Sequence, residues 1–410
     1  MLKKWIFILF IGVLLPIYPP AHAETKTTDF KAAFIRNNDL WIKKGNAETQ
    51  ITKGDYIRYP KWSYDGKWIA YQRGKEAGNG NGELWVYHLK QHKHFQIHSN
   101  AGVNFQWAPS KNMLGFLANH TLNLVTVQLP KPLRVQQLAA NAGSFSWLPK
   151  GNGLLISKKA NNELHSDILL LKIFLYRKPN TQHFYTIPVS KNEYYAGTSP
   201  FKWSPDHKWI SFVLTPTASL SADSNTLCLL SENGRGFKRV DEMLNDQNWF
   251  QWAPSQSVIG FIKGSGREAA SNKQLTVLEA AAHFNTSLTP KGFADRDFSW
   301  TNQHTIFVSR SKESKWAKLA DRPLPRLFKI KLDTKEQKAL TTPAKNEGDF
   351  APNYYNKHLF WVRTDRRTAH IYLTHLDKIQ EKQWIKNCNV ASNFYDRWKW
   401  DEVFSLYKGD

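Results

Sequence analysis

Cysteine is almost absent, with two thiols, Cys228 and Cys388, in 410 residues. A scaffold stapled by many disulfides is thereby excluded. Methionine occurs three times, and 34 acidic residues face 56 lysines and arginines, a formal net charge of +22. Beyond the N-terminal apolar run no segment approaches the ~18 unbroken apolar residues that read as a membrane-spanning helix. Catalytic signatures are missing too. There is no Gly-x-Ser-x-Gly elbow, no His-Glu-x-x-His and no Cys-x-x-Cys. Gly78-Asn-Gly-Asn-Gly82 has no Gly-Lys-Ser/Thr ending and reads as a loop rather than a phosphate cradle. What is abundant is aromatic: 17 Trp, 15 Tyr and 24 Phe. So many large apolar side chains bury enough surface to exclude disorder, and their type favours strands over helices.

The first residues read as an address. Lys3 and Lys4 precede the apolar run Trp5–Leu15, which Pro16 breaks before Ala21-His-Ala23. Basic, then apolar, then small-x-small is the order of a secretory signal peptide. We expect residues 1–23 to be removed and residues 24–410 to form a single domain. Cleavage removes two lysines, leaving 54 basic against 34 acidic residues, or +20. The protein is expected to be exported and to be extracellular, cell-wall associated or periplasmic. Cys228 and Cys388 are expected to stay free.

One motif recurs along the chain: an aromatic, one residue, a tryptophan, a turn, then an apolar strand. It is seen at Tyr59-Pro-Lys-Trp62, Phe105-Gln-Trp107, Phe145-Ser-Trp147, Phe201-Lys-Trp203, Phe250-Gln-Trp252 and Phe298-Ser-Trp300. Pro352-Asn-Tyr354 is a degenerate copy and Trp398-Lys-Trp400 a shortened one. The spacing averages about 48 residues, the period of a β-propeller repeat. Several intervals hold two further strand patterns, giving four strands per unit. The tryptophans are expected to wedge between neighbouring sheets rather than to stack on a ligand.

Trp62-Ser-Tyr-Asp-Gly-Lys67 and Trp203-Ser-Pro-Asp-His-Lys208 resemble the signature of the TolB-type (PD40-like) β-propeller repeat family. The resemblance implies the fold over nearly the whole mature chain and leaves activity open, since the repeat serves scaffolds, peptidase gates and lyases alike. Unlike in TolB, no separate domain is expected before the strands, which are expected to begin at Lys31-Ala-Ala-Phe-Ile35.

The expected fold is therefore all-β, a propeller of four-stranded blades closed by its N- and C-terminal strands. The missing inner strand of the first blade is expected around Trp398–Trp400. Eight blades are expected, with seven as the alternative if Val403-Phe-Ser-Leu-Tyr407 is a surplus strand.

Antiparallel order puts the longer connections, 74–82, 215–225, 264–272, 309–325 and 189–200, on one face. Binding is expected there, with Lys191, Tyr194 and Tyr195 on one loop and Arg310, Lys312, Lys315, Trp316 and Arg322 on another. His88, His92, His94 and His98 form a local cluster that could bind zinc or copper. Its position at a short turn, beside Lys90 and Lys93, favours a polar hairpin tip. No cofactor and no metal are expected.

Charge and export together point to a protein partner or an anionic envelope polymer, with a membrane surface as a further option. They do not point to nucleic acid, and the chain is expected to be monomeric. The leading expectation is a secreted, non-catalytic binding propeller. Its alternative is an extracytoplasmic lyase or glycosidase with titratable side chains converging at the propeller channel.

Overall fold

The computed structural model describes residues 30–74, 80–132, 134–282, 285–315 and 318–409. The expected signal segment and Trp316 lie outside the described residues. The described chain is all-β and antiparallel, with a single four-residue α-helix at Leu220–Asp223.

Strands follow one another outward in fours. Ile57–Trp62, Trp68–Arg73, Gly82–His88 and Lys93–Ala101 make one sheet, and five further sheets have four strands each. A nine-stranded sheet holds two such units, led by Lys202–Trp203 and Phe250–Trp252 and joined by the single pair Met243–Lys263, with Tyr195–Thr198 as an additional strand beside Trp209–Pro216. Each aromatic-x-Trp motif except the last forms the innermost strand of its unit. The turn that follows is built by its sequence. In Trp62-Ser-Tyr-Asp-Gly66 the Ser63 hydroxyl donates to Asp65 Oδ1 at 2.7 Å and accepts from Trp68 N at 3.0 Å. Ser204, Asp206 and Trp209 repeat this wiring at 2.6 and 3.0 Å. The fourth turn position needs a left-handed backbone, supplied by Gly66 (φ +61°) and by His207 (φ 60°).

The tryptophans do join sheets, by a hydrogen bond as well as by bulk. Trp107 Nε1 donates to Lys61 O (3.0 Å), Trp147 to Gln106 O (3.0 Å), Trp252 to Lys202 O (3.1 Å) and Trp300 to Gln251 O (3.2 Å). In each case the acceptor is the middle residue of the preceding motif. That residue's side chain then reaches forward: Lys61 Nζ donates to Phe105 O (2.9 Å), Gln106 Nε2 to Phe145 O (2.9 Å), Lys202 Nζ to Phe250 O (2.8 Å) and Gln251 Nε2 to Phe298 O (2.7 Å). Each middle residue thus grips the next inner strand twice.

The seam differs from expectation. The strand completing the first sheet is Phe404–Leu406, paired with Lys31–Arg36 through Ala32–Leu406 and Phe34–Phe404. It is not Trp398–Trp400. Phe404-Ser-Leu406 is the true final motif, with Leu in the tryptophan place, and Ser405 O accepts the Trp62 indole at 3.1 Å. Val403–Tyr407 is therefore not surplus. Trp398 and Trp400 are buried in a hairpin and 3₁₀ turn that precede the strand, with their rings stacked 5.4 Å apart.

Both cysteines are free, buried and in different sheets. Burial pushes both thiols up, Cys388 to about 12.

Candidate functional site

The inner strands begin around a common cavity. It measures about 550 Å³ and is lined from the second, third and fourth sheets by Tyr59, Lys61, Asn104, Gln106 and Ser144. Both halves of the nine-stranded sheet contribute, through Thr198, Ser199 and the segment 245–248. Lys399 and Asp401 close it from the C-terminal hairpin. A second cavity of about 320 Å³ shares Asn248 and Asp401 and is lined by Lys202, Gln251, Asp297, Ser299 and Lys408. The walls are hydrogen-bonding side chains because the middle residue of each motif is polar while its neighbours are apolar.

Three inner strands are shaped here by bulges. Register slips at Arg58–Lys61, Arg296–Phe298 and Phe350–Asn353 accompany left-handed backbones at Tyr59 (φ 56°), Asp297 (φ 42°) and Ala351 (φ 47°). Bulges re-aim side chains, and strained non-glycine backbone gathers at sites. Tyr59 uses the turn to donate to Glu402 Oε1 at 2.8 Å. Asp297 accepts from Trp249 Nε1 (3.0 Å) and Ala351 N (3.2 Å).

Charge in these cavities is confined and mixed. Burial lowers the ammonium groups of Lys61 and Lys202 to about 8. Burial and then Asp246 push Asp297 up to about 7. Asp401 is exposed to the cavity and enclosed by protein around it. That enclosure, and then Asp246, raise its carboxyl to about 6. Asp246, which caps a 3₁₀ turn through Asn248 N at 2.9 Å, is itself raised by burial. Low dielectric raises all three carboxyls, and the like charge of Asp246 adds to it at Asp297 and Asp401.

The C-terminal hairpin is held across the site. Tyr395 and Asp396 take left-handed turn positions (φ 53° and 64°). Asp396 forms a buried ion pair with Arg296 at 2.6 Å, and its other oxygen accepts the Trp398 indole at 3.1 Å. Tyr395 O accepts from Ala269 N at 3.1 Å, tying the hairpin to the loop 264–273.

The residues expected to bind sit elsewhere on these loops and are not brought together. Lys191 is exposed, Tyr194 is 43% exposed beside His165, and Tyr195 lies in the strand Tyr195–Thr198 with Arg239 over its ring. Lys312 and Lys315 are exposed. Arg310 is inside its strand, 2% exposed, with its guanidinium on both oxygens of Asp295. Arg322 pairs with Glu268 at 2.7 Å, its side chain 10% exposed. Both arginines serve packing because a buried guanidinium needs a carboxylate partner.

The histidines have local partners. His92 and His94 meet the hydroxyls of Tyr87 and Tyr71 at 2.8 Å, and Nδ1 of His88 and His98 accepts from backbone N–H groups of Gln91 and Asn100. Among the described residues no group of three or more His, Cys, Asp or Glu could hold a metal. The sequence reading missed Lys61, Lys202, Asp246, Asp297, Lys399 and Asp401. For the first two a signal existed, a lysine between apolar neighbours in an inner strand.

No protein-family model matches the chain, and no curated protein sequence matches it. Solved structures do. The dipeptidyl peptidase 4 of Porphyromonas gingivalis superposes with a TM-score of 0.58 at 9% identity, over 87% of this chain and 58% of that one. A puromycin hydrolase complexed with PGG gives 0.52 at 10% identity, over 82% and 54%. A puromycin-hydrolyzing peptidase of Mycobacterium tuberculosis gives 0.51 at 11%, over 88% and 54%. The chain thus spans little more than half the length of these propeller-type peptidases. At such identities the likeness is one of fold, and it supports a β-propeller-like architecture.

Proposed function

We propose that this chain is an exported, non-catalytic β-propeller that binds an anionic envelope polymer at the mouth of its central channel. In this reading the four-stranded units form eight blades of the TolB-type repeat, closed by the pairing of Lys31–Arg36 with Phe404–Leu406. The carrying observation is the 550 Å³ cavity where segments of five successive units meet Lys399 and Asp401. A concave site with convergent polar groups is the physical form of a ligand site. None of the described loop residues expected to bind lines it. The +20 charge of the mature chain supports an anionic partner.

The test is binding of isolated envelope polysaccharide fractions by titration calorimetry at low and high salt. The expected result is stoichiometric binding that weakens strongly with salt and falls with Lys399→Ala. Undiminished binding at high salt removes the electrostatic part, and no binding at low salt removes the reading.

A second reading rests on one observation, the raised carboxyls Asp246 and Asp401 in the same cavity. Such a pair suits acid–base chemistry on a glycan. Product release from the same fractions, abolished by Asp401→Asn, would favour it over binding alone.

A further inference from the structure

Beside the channel mouth lies a groove of about 590 Å³ that passes out between the fourth sheet and the nine-stranded one. Gly143 lines both spaces, and two continuous segments wall them in succession. Residues 141–143 and 196–197 face the groove, while 143–144 and 198–200 face the channel cavity. Groove and cavity therefore adjoin at Gly143.

The walls at this junction are hydrogen-bonded to one another and to neighbouring strands. Ser144 Oγ donates to Ser199 O at 2.8 Å, Thr198 Oγ1 donates to Ser157 Oγ at 2.9 Å, and Ser199 Oγ accepts from Val213 N at 2.9 Å. At the junction the wall is small, with Gly143, Ala196 and Gly197. A Cβ added at Gly197 would have no neighbour within 4 Å, so the space above it is open.

Charge from cavity to groove is graded. The channel end has both signs, from Lys61, Lys399, Asp246 and Asp401. The groove is lined by Lys158, Lys159 and His120, with no carboxylate among its lining residues. Neither lysine has an ion-pair partner among the described residues. The Lys159 ammonium donates only to Glu163 O, at 3.1 Å. Each compartment alone has the volume of a site for one small ligand; joined end to end they fit a chain.

We infer that the site takes a linear polyanion, with one end in the channel mouth and the following charged units over Lys158 and Lys159. This rests on the channel-mouth reading and adds to it the ligand's shape, its direction and a second contact region. Phosphate and carboxylate polymers share the required chemistry.

The experiment measures affinity for alginate oligomers of graded length and, in a parallel arm, for linear polyphosphates of graded length. Neutral malto-oligosaccharides serve as controls. Affinity should rise with length until the chain spans both compartments and then level off, and the stronger arm identifies the anion. Lys158→Gln with Lys159→Gln should weaken long oligomers roughly three- to tenfold and leave the shortest unchanged. Gly197→Trp, which fills open space at an ordinary backbone conformation, should do the same without changing thermal stability. If length and both variants have no effect on binding that Lys399→Ala still weakens, the extended path is wrong and the channel reading stands. If no oligomer of either kind binds at low salt, both are wrong. Equal binding of the neutral controls overturns the polyanion assignment.

Discussion

The indole of Trp107 donates to the carbonyl of Lys61, and the ammonium of Lys61 donates back to the carbonyl of Phe105, two residues before that indole. The contact couples a wedge to a tether: the ring fills the gap between sheets while the lysine fixes their separation. Trp203 provides the internal control. It occupies the same motif position, but its buried Nε1 has no hydrogen-bond partner.

Trp107→Phe should therefore cost about 1 kcal/mol, the net worth of a hydrogen bond plus an orphaned carbonyl. Trp203→Phe should cost less than about half of that, because no bond is lost. Trp107→Ala should cost about 3 kcal/mol. Urea denaturation of the three variants decides the matter, and equal costs for the two Phe variants would show that the indole bond contributes nothing.

Asp396→Asn leaves the Arg296 guanidinium, 2% exposed, without its counter-charge. Removal of one partner from a buried pair typically costs about 3–5 kcal/mol. Because the pair joins the C-terminal hairpin to an inner strand, the loss should appear locally first. Amide exchange over residues 392–403 should accelerate more than exchange in Phe34 or Leu40 of the first sheet.

Asp401→Asn tests the cavity's electrostatics. The folded carboxyl titrates at about 6, above the unfolded value of about 3.9. The folded state therefore binds more protons between about pH 4 and 6, and the penalty of the ionised group grows as pH rises through that window. The variant should match the parent below about pH 4, gain on it up to about pH 6 and keep a constant advantage above. Thermal midpoints across pH 3.5–8 measure this, and a constant offset at every pH would exclude a perturbed Asp401.

Cys228 and Cys388 should both resist a thiol reagent in the folded protein and react fully in denaturant, since burial removes them from solvent and raises their pKa. Reductant should leave the thermal midpoint unchanged. One fast-reacting thiol in native protein would contradict the packing around it.

Much of the architecture was legible because the repeat states its physics openly. The tryptophan, a polar turn and the apolar strand after it recur at an average spacing of about 48 residues, so strand order and sheet contacts followed. The seam was misread because Trp398-Lys-Trp400 imitates the motif better than Phe404-Ser-Leu406, where leucine stands in for the wedge. Only the left-handed turn at Tyr395–Asp396 and the pairing with Ala32 separate the two. The cavity-lining groups were partly readable. Lys61 and Lys202 sit where alternation turns a side chain inward, whereas Asp246, Asp297 and Asp401 come together only when distant units meet. Arg310 misled because a cation beside a loop looks free until its buried partner Asp295 is seen.

The pairing of Phe404–Leu406 with Lys31–Arg36 sets a timetable for the nascent chain. The strand that completes the first sheet leaves the ribosome after every other strand described here. Until it does, the inner edge of Lys31–Arg36 offers open backbone groups to any passing strand. The last of these strands to arrive ends that exposure.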